Sequence, residues 1–331
     1  MKEKIRIGVL GAAKITQMAL ITPSKALNNV EVVAIAARDR HRAEKFARKH
    51  GIPIVLDDYD SLIMHPEIDA VYNPLPNSLH AHWSIRAMRA GKHVLCEKPI
   101  AANTDEAIQM NQVAEEEEII LMEAFHWRYH PLAKRLVELV EIQSIGQITN
   151  IEASFCVPLP FSSDIRYNPQ LAGGALMDTG CYTIHILRHV MQQEPEVVSA
   201  TAIKHSDEID RTMKAEFSFP NGAMGRIHCS IWGFPLLSVS AKLVGTEGTI
   251  SVINPILPQI VYHHISIQNS NGKTTERFGG ANTYVEQLRA FCSAIQKGEN
   301  LLTSSKDGIK NMRVIDAVYR KSGMNPRLGW K

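Results

Sequence analysis

The chain has 331 residues, longer than a typical domain of about 100–200, so two domains are the first expectation. Apolar residues make up 45% and charged residues 21%, ordinary globular usage that excludes a disordered, collagen-like or coiled-coil chain. Lys plus Arg number 36 and Asp plus Glu 34, so the net charge is +2, without the basic excess or stripe of a nucleic-acid binder. In chain order, Ile5–Leu10, Val30–Ala36, 68–72, His93–Cys96 and 119–123 read as strands. Helical patterns at 40–50, 78–89 and 104–117 separate them, the last opening on Thr104 as N-cap. That alternation predicts βαβ units and a parallel sheet covered on both faces. The continuous apolar strands agree with it. The acidic run 115–118 reads as a solvated helix end.

Beyond about residue 150 the texture changes. A long strand is expected at 147–157 and a helix at 178–193. Strands at 212–219 and 223–232 flank Pro220-Asn221-Gly222, a hairpin signal. Those at 241–244 and 249–252 flank Gly245-Thr246-Glu247-Gly248, and another lies near 260–267 before Asn271-Gly272. Helices at 284–297 and 309–321 close the chain. The expected architecture is α/β: a dinucleotide-binding Rossmann domain over 1–125, then a substrate-binding and oligomerisation domain over 126–331 with an open, mainly antiparallel sheet. An open sheet face must be covered or polar. Met224, His228 and Trp232 on its strands are not uniformly polar, so a homodimer or tetramer joined through this sheet is expected.

Cys96, Cys156, Cys181, Cys229 and Cys292 form no CxxC pair, and the odd count argues against a disulfide framework or a zinc site. The N-terminus reads as a strand entering a turn rather than a signal peptide. No run of about 18 apolar residues suggests a membrane span. A cytoplasmic protein without a catalytic metal is expected, since the 14 histidines are scattered without ligand spacing.

Gly8-Val9-Leu10-Gly11-Ala12-Ala13-Lys14-Ile15-Thr16 follows the first strand and opens a helix. The G-x-G-x-x-G positions of a dinucleotide turn fall on Gly11, Ala13 and Thr16, and only the first keeps glycine. Gly11 would make the tight turn, and Ala13 is small enough to let a pyrophosphate approach the helix N-terminus. A plain strand–turn–helix explains this segment equally well. At the end of the second strand, Ala36-Ala37-Arg38 leaves space and offers a forked donor for a 2′-phosphate. Arg42 lies a helical turn further. Asp39 is the competing signal, for a free 2′-hydroxyl and NAD. The reading favours NADP.

Three motifs follow in order: Asn73-Pro74-Leu75-Pro76-Asn77-Ser78-Leu79-His80, then Cys96-Glu97-Lys98-Pro99, then Gly173-Gly174-Ala175-Leu176-Met177-Asp178-Thr179-Gly180-Cys181-Tyr182. With Glu123-Ala124-Phe125-His126-Trp127-Arg128-Tyr129-His130-Pro131, they resemble the glucose–fructose oxidoreductase/inositol dehydrogenase (Gfo/Idh/MocA) family. The likeness is nearest the branch of dimeric dihydrodiol dehydrogenases and NADP-dependent aldose dehydrogenases. It implies hydride transfer between a nicotinamide and the alcohol or carbonyl of a sugar, polyol or diol.

The resemblance makes Lys98 the first catalytic candidate. A lysine at the carboxyl end of a parallel strand faces the ligand crevice and can stabilise alkoxide charge. Asp178 and Tyr182, four apart on a helix, share a face. Tyr182 stands where inositol-type members have histidine, and becomes the candidate proton donor. A tyrosine's ordinary pKa is about 10, so the Lys98 charge would help it. Asp178 would orient substrate or Lys98. Gly11, Ala13, Lys14, Ile15, Arg38, Pro76, Asn77, His80, Glu97, Lys98, Trp127 and Arg128 make up the candidate cofactor-binding set. Helix-start chemistry is an equal reading of Asn77 and His80, and core packing of Trp127. Arg166 is a candidate substrate contact, alongside Lys98, Asp178 and Tyr182, or an ordinary loop arginine. The alternative function is a non-catalytic dinucleotide-binding regulator on the same fold.

Overall fold

Strands of the N-terminal half are apolar on both sides, which suits them to the middle of a covered sheet. They are β1 (Ile5–Leu10), β2 (Val30–Ala36), β3 (Ile54–Leu56), β4 (Ala70–Asn73), β5 (His93–Cys96) and β6 (Leu121–Glu123). They pair in the order β3-β2-β1-β4-β5-β6, and every pairing is parallel. The chain order reverses between β1 and β4, so the ligand crevice of this sheet type lies at their carboxyl ends. The computed structural model describes residues 4–280 and 282–330.

The helix Arg40–His50 has the expected bounds, capped by Asp39, whose carboxylate accepts the Arg42 N–H at 3.2 Å. Helix Thr104–Glu116 starts one residue earlier than expected: Asn103, not Thr104, is the cap, accepting the Glu106 N–H at 3.0 Å. Strand β3 escaped the sequence reading because it is a half-buried edge strand of three residues.

A second compact unit comprises Trp127–Thr283 and Lys310–Leu328. Its strands are β7 (Ile148–Cys156), β8 (Glu196–Ser206), β9 (Ile209–Ser218), β10 (Met224–Ser230), β11 (Ser238–Gly245), β12 (Gly248–Ile253), β13 (His264–Asn269) and β14 (Gly272–Glu276). Their order is β14-β13-β12-β11-β7-β10-β9-β8. The pairings are antiparallel except β7 with β10, which are parallel neighbours. Hairpin signals could not reveal that pair, because a long excursion separates its strands. Strand β8 was also missed, its outer edge leaving most of its residues exposed or half-buried.

Helix Cys181–Met191 packs on β7 and β10. The inward residues Ile151, Ala153, Met213, Ala215, Phe217, Ile227, Cys229 and Leu243 are all buried. The other face is more polar than the sequence suggested. Glu216, Arg226, Glu152 and Lys242 stand opposite one another in neighbouring strands. Arg226 donates to Glu216 at 3.2 Å and to Glu152 at 3.5 Å. Trp232, expected on this face, lies past the end of β10.

The first compact unit runs through His126 and takes in two later segments, one of them beginning at Gly329. Residues Tyr284–Ile309 belong with the first sheet despite their distance in sequence. Met122 bridges to Ser304, the Glu123 N–H donates to the Thr303 carbonyl at 3.0 Å, and Tyr284 lies on His126. Edge strand β6 thereby gains a partner from the far end of the chain. Among the described residues no helix is long and apolar enough to cross a membrane.

Candidate active site

Gly11 sits at φ +81°, a backbone conformation that favours glycine, and its N–H donates to the Ala36 carbonyl at 2.7 Å. A Cβ here would come within 3.1 Å of Leu75 and 3.6 Å of the Tyr59 hydroxyl. The turn is thus closed from below by Leu75 and Tyr59, and a side chain would fill it. Ala13 and Ile15 are half-buried and Lys14 is exposed along the same turn. The Thr16 hydroxyl is buried without a partner. This backbone fits a dinucleotide turn even though two of the three glycines are absent.

Arg38 and Arg42 are exposed beyond β2. Asp39, the acidic residue that could have held a ribose hydroxyl, is committed to the helix cap described above. Tyr59 was missed by the sequence reading. It is buried, which raises its phenol pKa, while the Arg38 charge and backbone N–H and the Arg42 charge pull the other way. The charges of both arginines therefore lie near the phenol beside the Gly11 turn, a cationic edge suited to a phosphate.

Lys98 lies in a turn whose backbone is pinned on every side. The Glu97 N–H donates to the Asn73 carbonyl at 3.0 Å, and the Ala124 N–H to the Cys96 carbonyl at 2.8 Å. The Ile100 N–H donates to buried Glu123 at 2.8 Å. The Tyr72 hydroxyl donates to Glu97 at 2.6 Å. Burial, then the Glu97 carboxylate, push the Tyr72 pKa well up, so it stays a donor. The Lys98–Pro99 peptide bond is cis.

His80 is fully buried rather than presented to a ligand. Its ring nitrogens lie 2.8 Å from the Pro99 carbonyl and 2.7 Å from the Leu75 carbonyl. Burial brings its pKa down to about 4, against the pull of those carbonyls, so near neutral pH it carries one N–H for the two. Its role is to tie the Leu75 turn, which supports Gly11, to the Lys98 turn. Pro76 and Asn77 are half-buried on the same turn. His126 is buried with its ring 4.1 Å from that of Tyr284. Burial first, and the Lys98 charge second, lower its pKa to about 3. It is therefore neutral near pH 7 and poorly suited to be the proton donor.

In the second unit, Asp178 lies in a π-helical turn, Leu176–Gly180, that runs into helix Cys181–Met191 carrying Tyr182. Such turns recur at functional sites. Tyr182 is buried, with its ring edge-on to Phe155 at 5.5 Å. Arg166 is no ordinary loop arginine. Its Nε donates to Asp178 at 2.7 Å and its Nη1 to Asp164 at 3.0 Å. Asp178 first and Asp164 second raise its pKa.

The double glycine is explained by close approach. A Cβ on Gly173 would overlap the Arg166 backbone. One on Gly174, at φ +125°, would lie 2.8 Å from Arg327 and 2.9 Å from the Tyr319 hydroxyl. Those groups serve buried Asp210, which accepts from Arg327 at 2.6 Å, from Tyr319 at 3.0 Å and from the Leu176 N–H at 2.7 Å. Asp210 thus anchors the first residue of the π-turn. Neither it nor Arg327 had a local sequence signal, because partners 117 residues apart form the pair.

Trp127, read equally as a pocket residue or as core packing, lies among the buried residues of the second unit. It is fully buried, and its indole N–H donates to His185 on helix Cys181–Met191 at 3.0 Å. A buried indole needs such a partner. Half-buried Arg128 is hydrogen-bonded to His189 of the same helix. Among the described residues no group of His, Cys, Asp and Glu is placed to hold a metal ion.

The model of the oxidoreductase family with an NAD-binding Rossmann fold matches residues 5–125, and the GFO/IDH/MocA C-terminal domain matches residues 133–251. This chain belongs to the GFO/IDH/MocA oxidoreductase family. It is 33% identical over 318 residues to D-xylose 1-dehydrogenase (NADP(+)) 2 of Haloferax volcanii, covering 95% of this chain and 96% of that one. It is 33% identical over 250 residues to a trans-1,2-dihydrobenzene-1,2-diol dehydrogenase of Danio rerio, covering 75% of this chain and 74% of that one. The crystal structure of KijD10, a 3-ketoreductase from Actinomadura kijaniata in complex with NADP and TDP-benzene, matches with a TM-score of 0.90 at 29% identity, covering 96% of this chain and 98% of that one.

Proposed function

We propose that this chain is an NADP-dependent oxidoreductase that interconverts an alcohol and a carbonyl on a sugar, polyol or diol. The observation that carries the reading is the pinned Lys98 turn, linked through His80 and Leu75 to the Gly11 turn in a chain of this family. Gly11, Ala13, Lys14, Ile15, Pro76, Asn77 and Glu97 would line the dinucleotide, with Arg38 and Arg42 at the 2′-phosphate. A bound nicotinamide supplies or accepts the hydride. In the reducing direction Tyr182 gives its proton to the substrate oxygen, and Lys98 donates a hydrogen bond to that oxygen. Asp178, fixed by Arg166, orients a substrate hydroxyl, and Arg166 supplies the remaining donors.

A panel of sugars, keto-sugars and diols, followed by nicotinamide absorbance, tests the reading. Turnover of at least one is expected, with NADP(H) preferred. Tight dinucleotide binding without turnover of any of them would favour the non-catalytic regulator. Buried free Cys96, Cys156, Cys181, Cys229 and Cys292 suit a reducing cytoplasm.

The charged ladder on the outer sheet face changes the grounds for an oligomer. Alternating charges on neighbouring strands pair well with a second copy, while exposed Met224 and Ile253 supply apolar contact. A dimer through this face is the expected assembly. Light scattering at micromolar concentration that returns a monomer mass would rule it out.

A further inference from the structure

Within the second unit, the turn Leu176–Gly180 presents one side chain outward: Asp178 is the single residue of its five that is not buried. Asp178 and Arg166 are joined twice. Their side chains form the ion pair at 2.7 Å. Their backbones meet at Gly174, whose N–H donates to the Arg166 carbonyl at 2.8 Å and whose carbonyl accepts the Asp178 N–H at 3.1 Å. Wherever the Gly173-Gly174 segment sits, both members of the pair must follow.

That segment is gripped by residues remote in sequence. One edge of the Arg327 guanidinium bridges two acceptors, with Nε on the Gly173 carbonyl at 2.7 Å and Nη2 on Asp210 at 2.6 Å. The guanidinium carbon lies 4.2 Å from the centre of the Tyr319 ring, and the Tyr319 hydroxyl donates to the same Asp210 oxygen at 3.0 Å. The other Asp210 oxygen accepts the Leu176 N–H at 2.7 Å. The backbone is therefore held at Gly173 and again at Leu176, on either side of Gly174. Asp210 and Arg327 are both buried. A buried ion pair often stabilises a fold no better than apolar residues of the same volume, so its geometry is the feature to explain. Lysine could supply the charge here, but not a planar edge with two donors.

We infer that Asp210, Arg327 and Tyr319 are positioning residues for substrate: they fix the backbone of the double glycine, and through Gly174 they set the spacing of Arg166 and Asp178. They act on substrate affinity through that pair. The inference rests on the oxidoreductase reading for its substrate, while the hold on the pair is measurable by itself.

Arg327→Lys keeps the charge and loses the two-donor edge. With a substrate from the panel above, its KM is expected to rise about tenfold or more, the effect of losing a charge-assisted contact. The kcat should change by less than about threefold, and NADPH affinity by fluorescence should be unchanged, which separates lost substrate positioning from general loosening. Amide hydrogen exchange should quicken at Gly174, Leu176 and Asp178 and not in the first sheet. The decisive comparison is made on an Arg166→Gln background, where the pair is already broken. There Arg327→Lys should raise KM by less than about twofold further, because residues that act through one another are not additive. The full factor on that background, an unchanged KM in Arg327→Lys alone, unchanged exchange at the three amides, or NADPH affinity that weakens in step with KM overturns the inference. Should Arg327→Lys fail to fold, Tyr319→Phe removes one hydrogen bond from Asp210 and keeps the ring under the guanidinium, and the same comparison applies with a smaller factor. Absence of turnover by the unaltered protein sinks the oxidoreductase reading, and the exchange measurement then still decides whether these residues hold the pair.

Discussion

Tyr182→Phe is expected to lower kcat by about 10²–10⁴, the usual cost of removing a general acid. The variant keeps the ring and hence its edge contact with Phe155, so folding should be undisturbed. Lys98→Met should cost a similar factor, because the substrate oxygen would then develop charge without its donor. The Lys98 turn is held by bonds to the backbone and to Glu97, none of which uses the lysine side chain. NADPH fluorescence should therefore show the cofactor still docking to both variants. The double variant should lose less than the product of the single losses, since groups that act on one oxygen are non-additive. Near-normal kcat in Tyr182→Phe, with a deuteride isotope effect showing chemistry to be rate-limiting, would remove tyrosine from the mechanism. The next donor would then be a water held by Asp178, because burial keeps His126 neutral, and so a weak acid, near neutral pH.

Arg38→Ala is the second large effect. It should weaken NADP binding by about 1.5–3 kcal/mol, the range for a hydrogen bond to a charged group. NAD binding should hardly change. The alanine retains the backbone N–H that supports Tyr59, so the floor of the Gly11 turn stays in place. Calorimetric titration with both cofactors is the measurement. Equal losses for the two, or tighter binding of NAD by the unaltered protein, would show that Arg38 does not read the phosphate.

The strand–helix alternation, the parallel sheet and the tight Gly11 turn were legible in the sequence because they depend on neighbours close in the chain. Apolar runs, cap residues and turn glycines act within a few residues of one another, and their order carries the topology. The motifs around Lys98 and Tyr182 were legible for a related reason: each is a short strand-end or helix-start segment whose residue types are tied to a local backbone shape.

What only the tertiary structure decided involves partners far apart in the sequence. Arg166 could be read as an ordinary loop arginine until Asp178 and Asp164 were found on either side of it. Asp210 and Arg327, the pair beneath the double glycine, meet only because β9 and the final segment pack together. His80 and Trp127 could have served a ligand or the interior. Both are buried, with the His80 ring between the Leu75 and Pro99 carbonyls and the Trp127 indole N–H on His185. The parallel β7–β10 pair and the return of Tyr284–Ile309 to the first sheet likewise have no local pattern. Chain order constrains residues through backbone geometry over a few positions, whereas these contacts arise from the packing of whole elements.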